Sequence, residues 1–150
     1  MTSAFVHASC VVIGEAGVLI RGPSGAGKST LARRLIDAAL ARGIFARLVA
    51  DDRVLLSLAS GRIVARAHEA VRDLIEIRGL GLAAVSGEHA AVLRLVVDLT
   101  ERDPPRLPTT DEATADVGGV PLPRLVCRAL DEDRVLGAMG LGSWSPSPKR

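Results

Sequence analysis

Short apolar runs, separated by glycine, proline and charged residues, extend along this chain of 150 residues. The first two runs, at residues 11–13 and 18–20, flank a turn segment that contains Gly14 and Gly17, which predicts a β-hairpin. From residue 30 to residue 42 the apolar positions recur at helical spacing, and Gly43 follows as a stop signal. The opening pattern therefore predicts a hairpin that leads into an amphipathic helix.

The rest of the chain reads mainly as strands. Residues 46–50 form an apolar run, residues 54–56 and 63–65 flank Ser60 and Gly61 as a second hairpin, and residues 91–99 form the longest run. Residues 100–116 are polar and rich in proline, which predicts a loop, and two prolines in residues 120–126 predict an edge strand. Residues 130–139 predict a short closing helix. The total is one strong helix and about six or seven strands, which include an alternating segment at 74–78.

A phosphate-binding loop lies between the first hairpin and the helix. It follows the pattern G-x-x-x-x-G-K-S, in which glycines let successive backbone N–H groups face phosphate oxygens, the lysine contacts the β- and γ-phosphates, and the serine hydroxyl ligates Mg²⁺. A strand before it and a helix after it are the context that this motif requires. The predicted nucleotide-binding residues are Gly22, Pro23, Ser24, Gly25, Ala26, Gly27, Lys28, Ser29 and Thr30.

Composition narrows the possible partners and the setting. Aromatic residues make up 2% of the chain and the net charge is +2, which argues against a nucleic-acid partner. No signal peptide or membrane span is evident, and two distant cysteines form no redox or metal motif, so we expect a reducing cytoplasmic setting and no membrane. The length suits one domain, predicted at residues 1–141, with a disordered tail at residues 142–150.

Two adjacent acids, Asp51 and Asp52, follow the apolar run at residues 46–50. Neighbouring side chains at a strand end point in different directions, so one carboxylate can approach a metal while the other faces an acceptor hydroxyl. A phosphotransferase needs both roles, although a solvated turn would have the same sequence. Glu76 lies between apolar neighbours and just before two glycines; it either provides a second carboxylate for Mg²⁺ or faces solvent.

His7 and Arg106 are weaker candidates. His7 precedes the first strand, and Arg106 lies in the proline-rich loop, where an arginine could reach a transferred phosphate. Without further information, a surface histidine and a solvated loop arginine are the simpler interpretations.

Taken together, these segments resemble a known family. His7, the phosphate-binding loop, the sequence Val-Ala-Asp-Asp-Arg-Val at 49–54 and the sequence Glu-Ile-Arg-Gly-Leu-Gly at 76–81 occur in the order found in the catalytic domain of bacterial HPr kinase/phosphorylase. The similarity extends from His7 to about Arg106. It implies an α/β P-loop kinase domain with a mixed sheet, related to the nucleotide-binding core of phosphoenolpyruvate carboxykinase.

The resemblance implies an ATP- and Mg²⁺-dependent kinase that phosphorylates a serine of HPr, the phosphocarrier of the sugar phosphotransferase system. Many family members also remove that phosphate by phosphorolysis, and described members form homo-oligomers, namely hexamers. The longer members carry a separate N-terminal domain, whereas His7 lies almost at the start here, so the sequence is similar to a short form that has only the C-terminal catalytic domain.

The resemblance also implies roles for individual residues. Asp51 matches the acid that takes the seryl proton in the forward reaction and returns it in the reverse reaction. Asp52 supports the metal and this pair of acids, and His7 lies beside them. Ser29 and Glu76 help to bind Mg²⁺.

Arg106 matches an arginine that meets the transferred phosphate. These residues, together with Lys28 of the phosphate-binding loop, make up the site that the resemblance implies.

Two other functions remain open from the sequence. One is a small-molecule kinase with an ordinary P-loop fold, although no arginine-rich lid helix is evident. The other is a nucleotide-sensing module without catalysis, which would not need Asp51.

Overall fold

The computed structural model describes residues 3–142, which form eleven strands, two α-helices and one 3₁₀ turn at Glu69–Val71. The helices are α1 (Lys28–Ala41) and α2 (Glu132–Ala138). The strands are β1 (Ala4–Val6), β2 (Ala8–Ile13), β3 (Ala16–Arg21), β4 (Ala46–Ala50), β5 (Val54–Ala59), β6 (Arg62–Ala67), β7 (Leu74–Ile77), β8 (Gly81–Ala84), β9 (Ala90–Leu99), β10 (Thr114–Val117) and β11 (Val120–Cys127).

Nine of the strands form one mixed sheet. Its main order is β1-β5-β6-β9-β3-β2-β4; β11 pairs with β9, and β10 pairs with β11. The pairs β3–β9 and β9–β11 are parallel, and the other pairs are antiparallel. Strands β7 and β8 form a separate hairpin. The predicted α/β class with a mixed sheet is confirmed.

The centre of the sheet is buried on both faces. All six residues of β2 are buried, and they alternate between two apolar clusters, with Val11 and Ile13 on one side and Cys10 and Val12 on the other. Helix α1 covers the first face with a set of residues at helical spacing, and the β10–β11 hairpin contributes to the second cluster. The buried residues of α1 that face the first cluster are Leu31, Ala32, Leu35 and Ala39.

Helix α1 ends as the sequence predicts. Gly43 has φ +74°, its N–H donates to the Leu40 carbonyl at 3.0 Å, and the Ile44 N–H donates to the Ala39 carbonyl at 2.9 Å. These two bonds form a Schellman motif, which satisfies carbonyls that the helix itself leaves free. The helix begins at Lys28 rather than at the predicted residue 30, because the lysine and serine of the phosphate-binding loop already belong to its first turn.

The predicted strand count is too low. Strands β1 and β8 have only three and four residues, and β10 lies partly inside the predicted loop at residues 100–116. Sequence patterns of this length carry little periodicity. Strands β1 and β10 pair with the longer strands β5 and β11, and β8 pairs with β7, which also has four residues.

The edge-strand prediction for residues 120–126 is only partly right. Strand β11 pairs with β10 through its first half and with β9 through its second half. The Arg124 N–H donates to the Ala113 carbonyl at 2.8 Å, so the nitrogens of Pro121 and Pro123 point away from β10. The prolines therefore remove no hydrogen bond from the β10–β11 ladder.

Neither helix within residues 3–142 is long and apolar enough to cross a membrane. The predicted domain boundary at residue 141 stays a prediction. Apart from Gly142, the tail that was predicted to be disordered lies outside the described residues.

A charged cluster joins three strands next to the phosphate-binding loop. Arg21, the last residue of β3, donates to Asp98 from Nε at 2.7 Å and from a terminal nitrogen at 2.8 Å, and Arg124 of β11 donates to the same carboxylate from Nε at 2.5 Å. Burial of Asp98 acts to raise its pKa, but the hydrogen bonds and positive charges of the two arginines outweigh this effect and hold the pKa below its usual range.

We expect Asp98→Asn to lower the free energy of unfolding by about 1–3 kcal/mol at neutral pH, because it leaves two arginines without their carboxylate. The depressed pKa gives a stabilisation that is fully present above the pKa of the unfolded carboxyl, about 4, and is lost as the pH falls through the folded pKa. Urea unfolding at a series of pH values should therefore show that wild type and variant converge in acid. A constant difference at every pH would contradict this assignment.

Candidate active site

The phosphate-binding loop joins β3 to α1 and has a conformation that needs glycine. Gly25 has φ +81° and Gly27 has φ +98°, values that side-chain-bearing residues rarely adopt. A Cβ at Gly27 would also lie 2.6 Å from Cβ of Ala129, which precedes α2. Two independent constraints, backbone conformation and close packing, therefore require glycine at position 27.

Lys28 is turned into the loop. Its Nζ donates to the carbonyls of Gly22 at 2.9 Å and Pro23 at 3.2 Å, and the residue is buried. An ammonium group has three donors, so one remains for another acceptor. The lysine thus places a positive charge at the loop whose backbone would surround a phosphate.

Asp51 is buried beneath this loop and holds several elements together. Its Oδ1 accepts hydrogen bonds from the hydroxyls of Ser29 at 2.7 Å and Ser9 at 2.8 Å, and its Oδ2 accepts one from the Glu76 N–H at 3.0 Å. The residue is 8% exposed and does not line the pocket above the loop. Because Ser29 uses its proton on Asp51, the lone pairs of that hydroxyl are free to bind a cation.

Asp52 has the opposite orientation. Its φ is +67°, and the Arg53 N–H donates to the Asp51 carbonyl at 2.8 Å, which forms a γ-turn centred on Asp52. The turn directs the Asp52 side chain into the pocket, where Oδ1 lies 3.1 Å from Nδ1 of His7. The Asp52 side chain is 61% exposed, in contrast to its buried neighbour.

A pocket of about 310 Å³ lies between the loop, the Asp52–His7 pair and the β7–β8 hairpin. The hairpin contributes Glu76 and Arg78, and α1 contributes Thr30 in addition to Lys28 and Ser29. The other lining residues are Ser24, Gly25 and Gly27.

The donors around this pocket fit Mg²⁺. The Ser29 hydroxyl and the Glu76 carboxylate are oxygen ligands of the kind this ion prefers, and Mg²⁺ commonly completes its shell with water and substrate phosphates. Within residues 3–142, no three His, Cys, Asp or Glu side chains come together as a ligand set. A cation held here would therefore share its coordination with phosphate oxygens and water.

The structure brings together most of the residues singled out in the sequence, but it separates Arg106 from them. Arg106 lines a different cavity, of about 400 Å³, together with Arg124 and Arg134. Arg78 lines the active-site pocket instead, and sequence reasoning assigned it no role. The available signal was its position two residues after Glu76 in the Glu-Ile-Arg-Gly-Leu-Gly segment.

Comparisons with known proteins identify the family. The sequence model described as the HPr Serine kinase C-terminal domain matches residues 1–125. The chain belongs to this family. The resemblance seen in the sequence is confirmed, and it covers most of the described structure.

Family members have been named in several bacteria. The HPr kinase/phosphorylase of Aromatoleum aromaticum is 44% identical over 123 positions, which cover 73% of this chain and 37% of the relative. That of Mycoplasma mycoides is 34% identical over 117 positions, covering 73% of this chain and 36% of the relative. The chain therefore spans well under half the length of these relatives.

A solved structure shares the fold. The HPr(Ser) kinase/phosphatase from Coxiella burnetii superposes with a TM-score of 0.68 and 25% sequence identity, over 89% of this chain and 91% of that chain. The α/β arrangement around the phosphate-binding loop is thus a family fold.

We expect Asp51→Asn to destabilise the protein by about 1–3 kcal/mol, because the NH2 of the new amide either faces the Glu76 N–H as a second donor or replaces the oxygen to which both serine hydroxyls donate. Asp52→Asn should change stability by less than about 0.5 kcal/mol, since the side chain is exposed and asparagine tolerates a positive φ. Urea unfolding of both variants measures the difference. Equal losses would contradict the structural roles assigned to the two acids.

Proposed function

We propose that this protein is a kinase that transfers the γ-phosphate of ATP to a serine of HPr, with Mg²⁺ as cofactor. Family membership and the names of the relatives support this reaction class. The observation that carries the proposal is the Asp52–His7 pair, which faces the phosphate-binding loop across an open pocket. A nucleotide-binding module without catalysis would have no need of this pair.

The geometry favours Asp52, rather than Asp51, as the base for the seryl hydroxyl. A general base must come within hydrogen-bond distance of the proton it removes. Asp51 is buried and already accepts three hydrogen bonds, whereas Asp52 is exposed in the pocket. The role implied by the sequence for Asp51 is therefore reassigned to Asp52, and the metal-supporting role of Asp52 is reassigned to Asp51.

Ser29 and Glu76 would hold Mg²⁺, and Asp51 would orient the Ser29 hydroxyl toward it. The bound cation supplies positive charge for the β- and γ-phosphates. Asp51 also accepts a hydrogen bond from the Glu76 N–H. One buried carboxylate therefore positions both proposed Mg²⁺ ligands, Ser29 and Glu76.

In the forward reaction, Asp52 would accept the seryl proton as the serine oxygen bonds to the γ-phosphorus and the bond from that phosphorus to the ADP oxygen breaks. His7 would orient the Asp52 carboxylate through its Nδ1 contact, and Lys28 would hold the β- and γ-phosphates. In the reverse direction, inorganic phosphate would attack the phosphoseryl phosphorus, and protonated Asp52 would return its proton to the leaving serine oxygen. The products would be HPr and pyrophosphate.

The cellular compartment of the protein is proposed from its two cysteine thiols. Cys10 and Cys127 are both free and buried, and burial raises the pKa of each to about 12. Free thiols support a reducing compartment, which is the cytoplasm, where ATP is also available. The hexamer implied by the resemblance stays a prediction that light scattering would test.

Incubation of the protein with HPr, Mg²⁺ and γ-labelled ATP should label one serine of HPr. Asp52→Asn should reduce the rate about 10²- to 10⁴-fold, the usual contribution of a general base, and leave ATP affinity unchanged. Asp103→Asn is the control, because its side chain is 95% exposed and does not line the pocket. Transfer to small hydroxyl compounds but not to HPr would indicate a small-molecule kinase. ATP binding without any transfer would indicate a nucleotide sensor.

Arg78 is proposed to contact the transferred phosphate, because it lines the pocket whereas Arg106 does not. Arg78→Ala should lower kcat about 10²-fold or more, since a donor aimed at transition-state charge is lost. Arg78→Lys should recover part of the rate through charge alone. Arg106→Ala is the matched control and should retain the wild-type rate. A larger loss in the Arg106 variant would reverse the assignment.

A further inference from the structure

The β7–β8 hairpin has two faces with different surroundings. Ile75 is buried in the core, and Ile77 and Ala83 pack against the same cluster. On the other face, Glu76 pairs directly with Leu82 across the two strands. Directly opposite residues in an antiparallel pair lie on the same face, with Cβ atoms about 4.5–5.5 Å apart. Leu82 therefore lies beside a pocket-lining carboxylate.

A second exposed leucine, Leu80, lies in the turn at the tip of the hairpin. The Leu80 N–H donates to the Ile77 carbonyl at 2.9 Å across a tight turn in which Gly79 has φ +83°. Leu80 is 74% exposed and Leu82 is 69% exposed, although the core-facing side of the hairpin is well packed. Both leucines are thus exposed, Leu82 on the outer face of the hairpin and Leu80 in its turn, and we call them the leucine ledge.

The position of the ledge constrains what can contact it. Neither leucine lines the active-site pocket, although Glu76 and Arg78 on the same hairpin do. An acceptor small enough to lie within the pocket would leave the ledge in water. Among phosphoryl acceptors, one that reaches the pocket and also extends beyond its rim is needed to cover both leucines, and a folded protein that presents a serine does so.

We propose that the leucine ledge, Leu80 and Leu82, docks the protein substrate by contacting apolar side chains that flank its acceptor serine. This inference rests on the proposed kinase function and adds to it the specificity element for a protein substrate. Leucine side chains covered at such a contact contribute to binding because their apolar surface leaves water.

The test compares Leu80→Ser and Leu82→Thr, singly and combined, with wild type. Threonine keeps the strand preference at position 82. The matched control is Leu58→Thr, an exposed strand leucine that does not line the pocket. Leu82→Ile preserves apolar surface and should retain wild-type kinetics. The double variant should lower kcat/KM for HPr about tenfold or more, mainly through KM, with the KM for ATP unchanged.

Each other outcome has a distinct meaning. An unchanged KM for HPr in the double variant would overturn the ledge and leave the kinase proposal intact. A raised KM for ATP would mean that the ledge holds the nucleotide base, and a changed mass by light scattering would mean that a second copy of the chain covers it; both results would overturn the proposal. If the wild type transfers no phosphate to HPr, the proposed function fails and the ledge proposal fails with it.

Discussion

The carboxylate of Asp51 joins the parts of the site to one another. It follows β4 and accepts hydrogen bonds from Ser9 on β2, Ser29 on α1 and the backbone of Glu76 on β7. A buried carboxylate needs such donors, because an unpaired charge away from water costs far more than a neutral group. The hydrogen bonds that satisfy the Asp51 carboxylate therefore also fix the start of α1 and the position of the β7–β8 hairpin relative to the sheet.

The γ-turn next to Asp51 gives two adjacent acids different environments. A positive φ at a residue other than glycine costs free energy, and this conformation persists where contacts with the surrounding structure impose it. At Asp52 those surroundings include the Arg53–Asp51 backbone bond and a bond from the Ala8 N–H to the Asp52 carbonyl at 3.3 Å. One acid is consequently buried against the phosphate-binding loop, and the other is exposed toward the space where an acceptor would bind.

The hairpin that carries Glu76 and Arg78 connects the interior to the outer rim of the site. Its inner face packs on the core beside α1, while its outer face presents a carboxylate and the leucine ledge. Strand alternation produces this division for Ile75, Glu76 and Leu82, whereas Leu80 lies in the turn between the two strands. A single short hairpin thus combines packing against the core with side chains that line the candidate active-site pocket.

The local elements of this protein follow from its sequence. The first hairpin, the strand at Ala46–Ala50, the phosphate-binding loop and the end of α1 at Gly43 depend on neighbouring residues, and each lies where the pattern predicts it. Apart from Arg78, the residues brought to the pocket, among them His7, Asp52 and Glu76, are also singled out by the sequence.

Only the tertiary structure decided the surroundings of those residues. The sequence Asp51-Asp52 does not indicate which of the two side chains is buried, because burial depends on hydrogen-bond donors at positions 9, 29 and 76. Arg78 lines the pocket and Arg106 does not, because one lies on a hairpin packed against the core and the other in a loop beside a different cavity. Contacts between residues far apart in the chain determine which side chains are buried and which line the pocket, and a local sequence pattern does not contain these contacts.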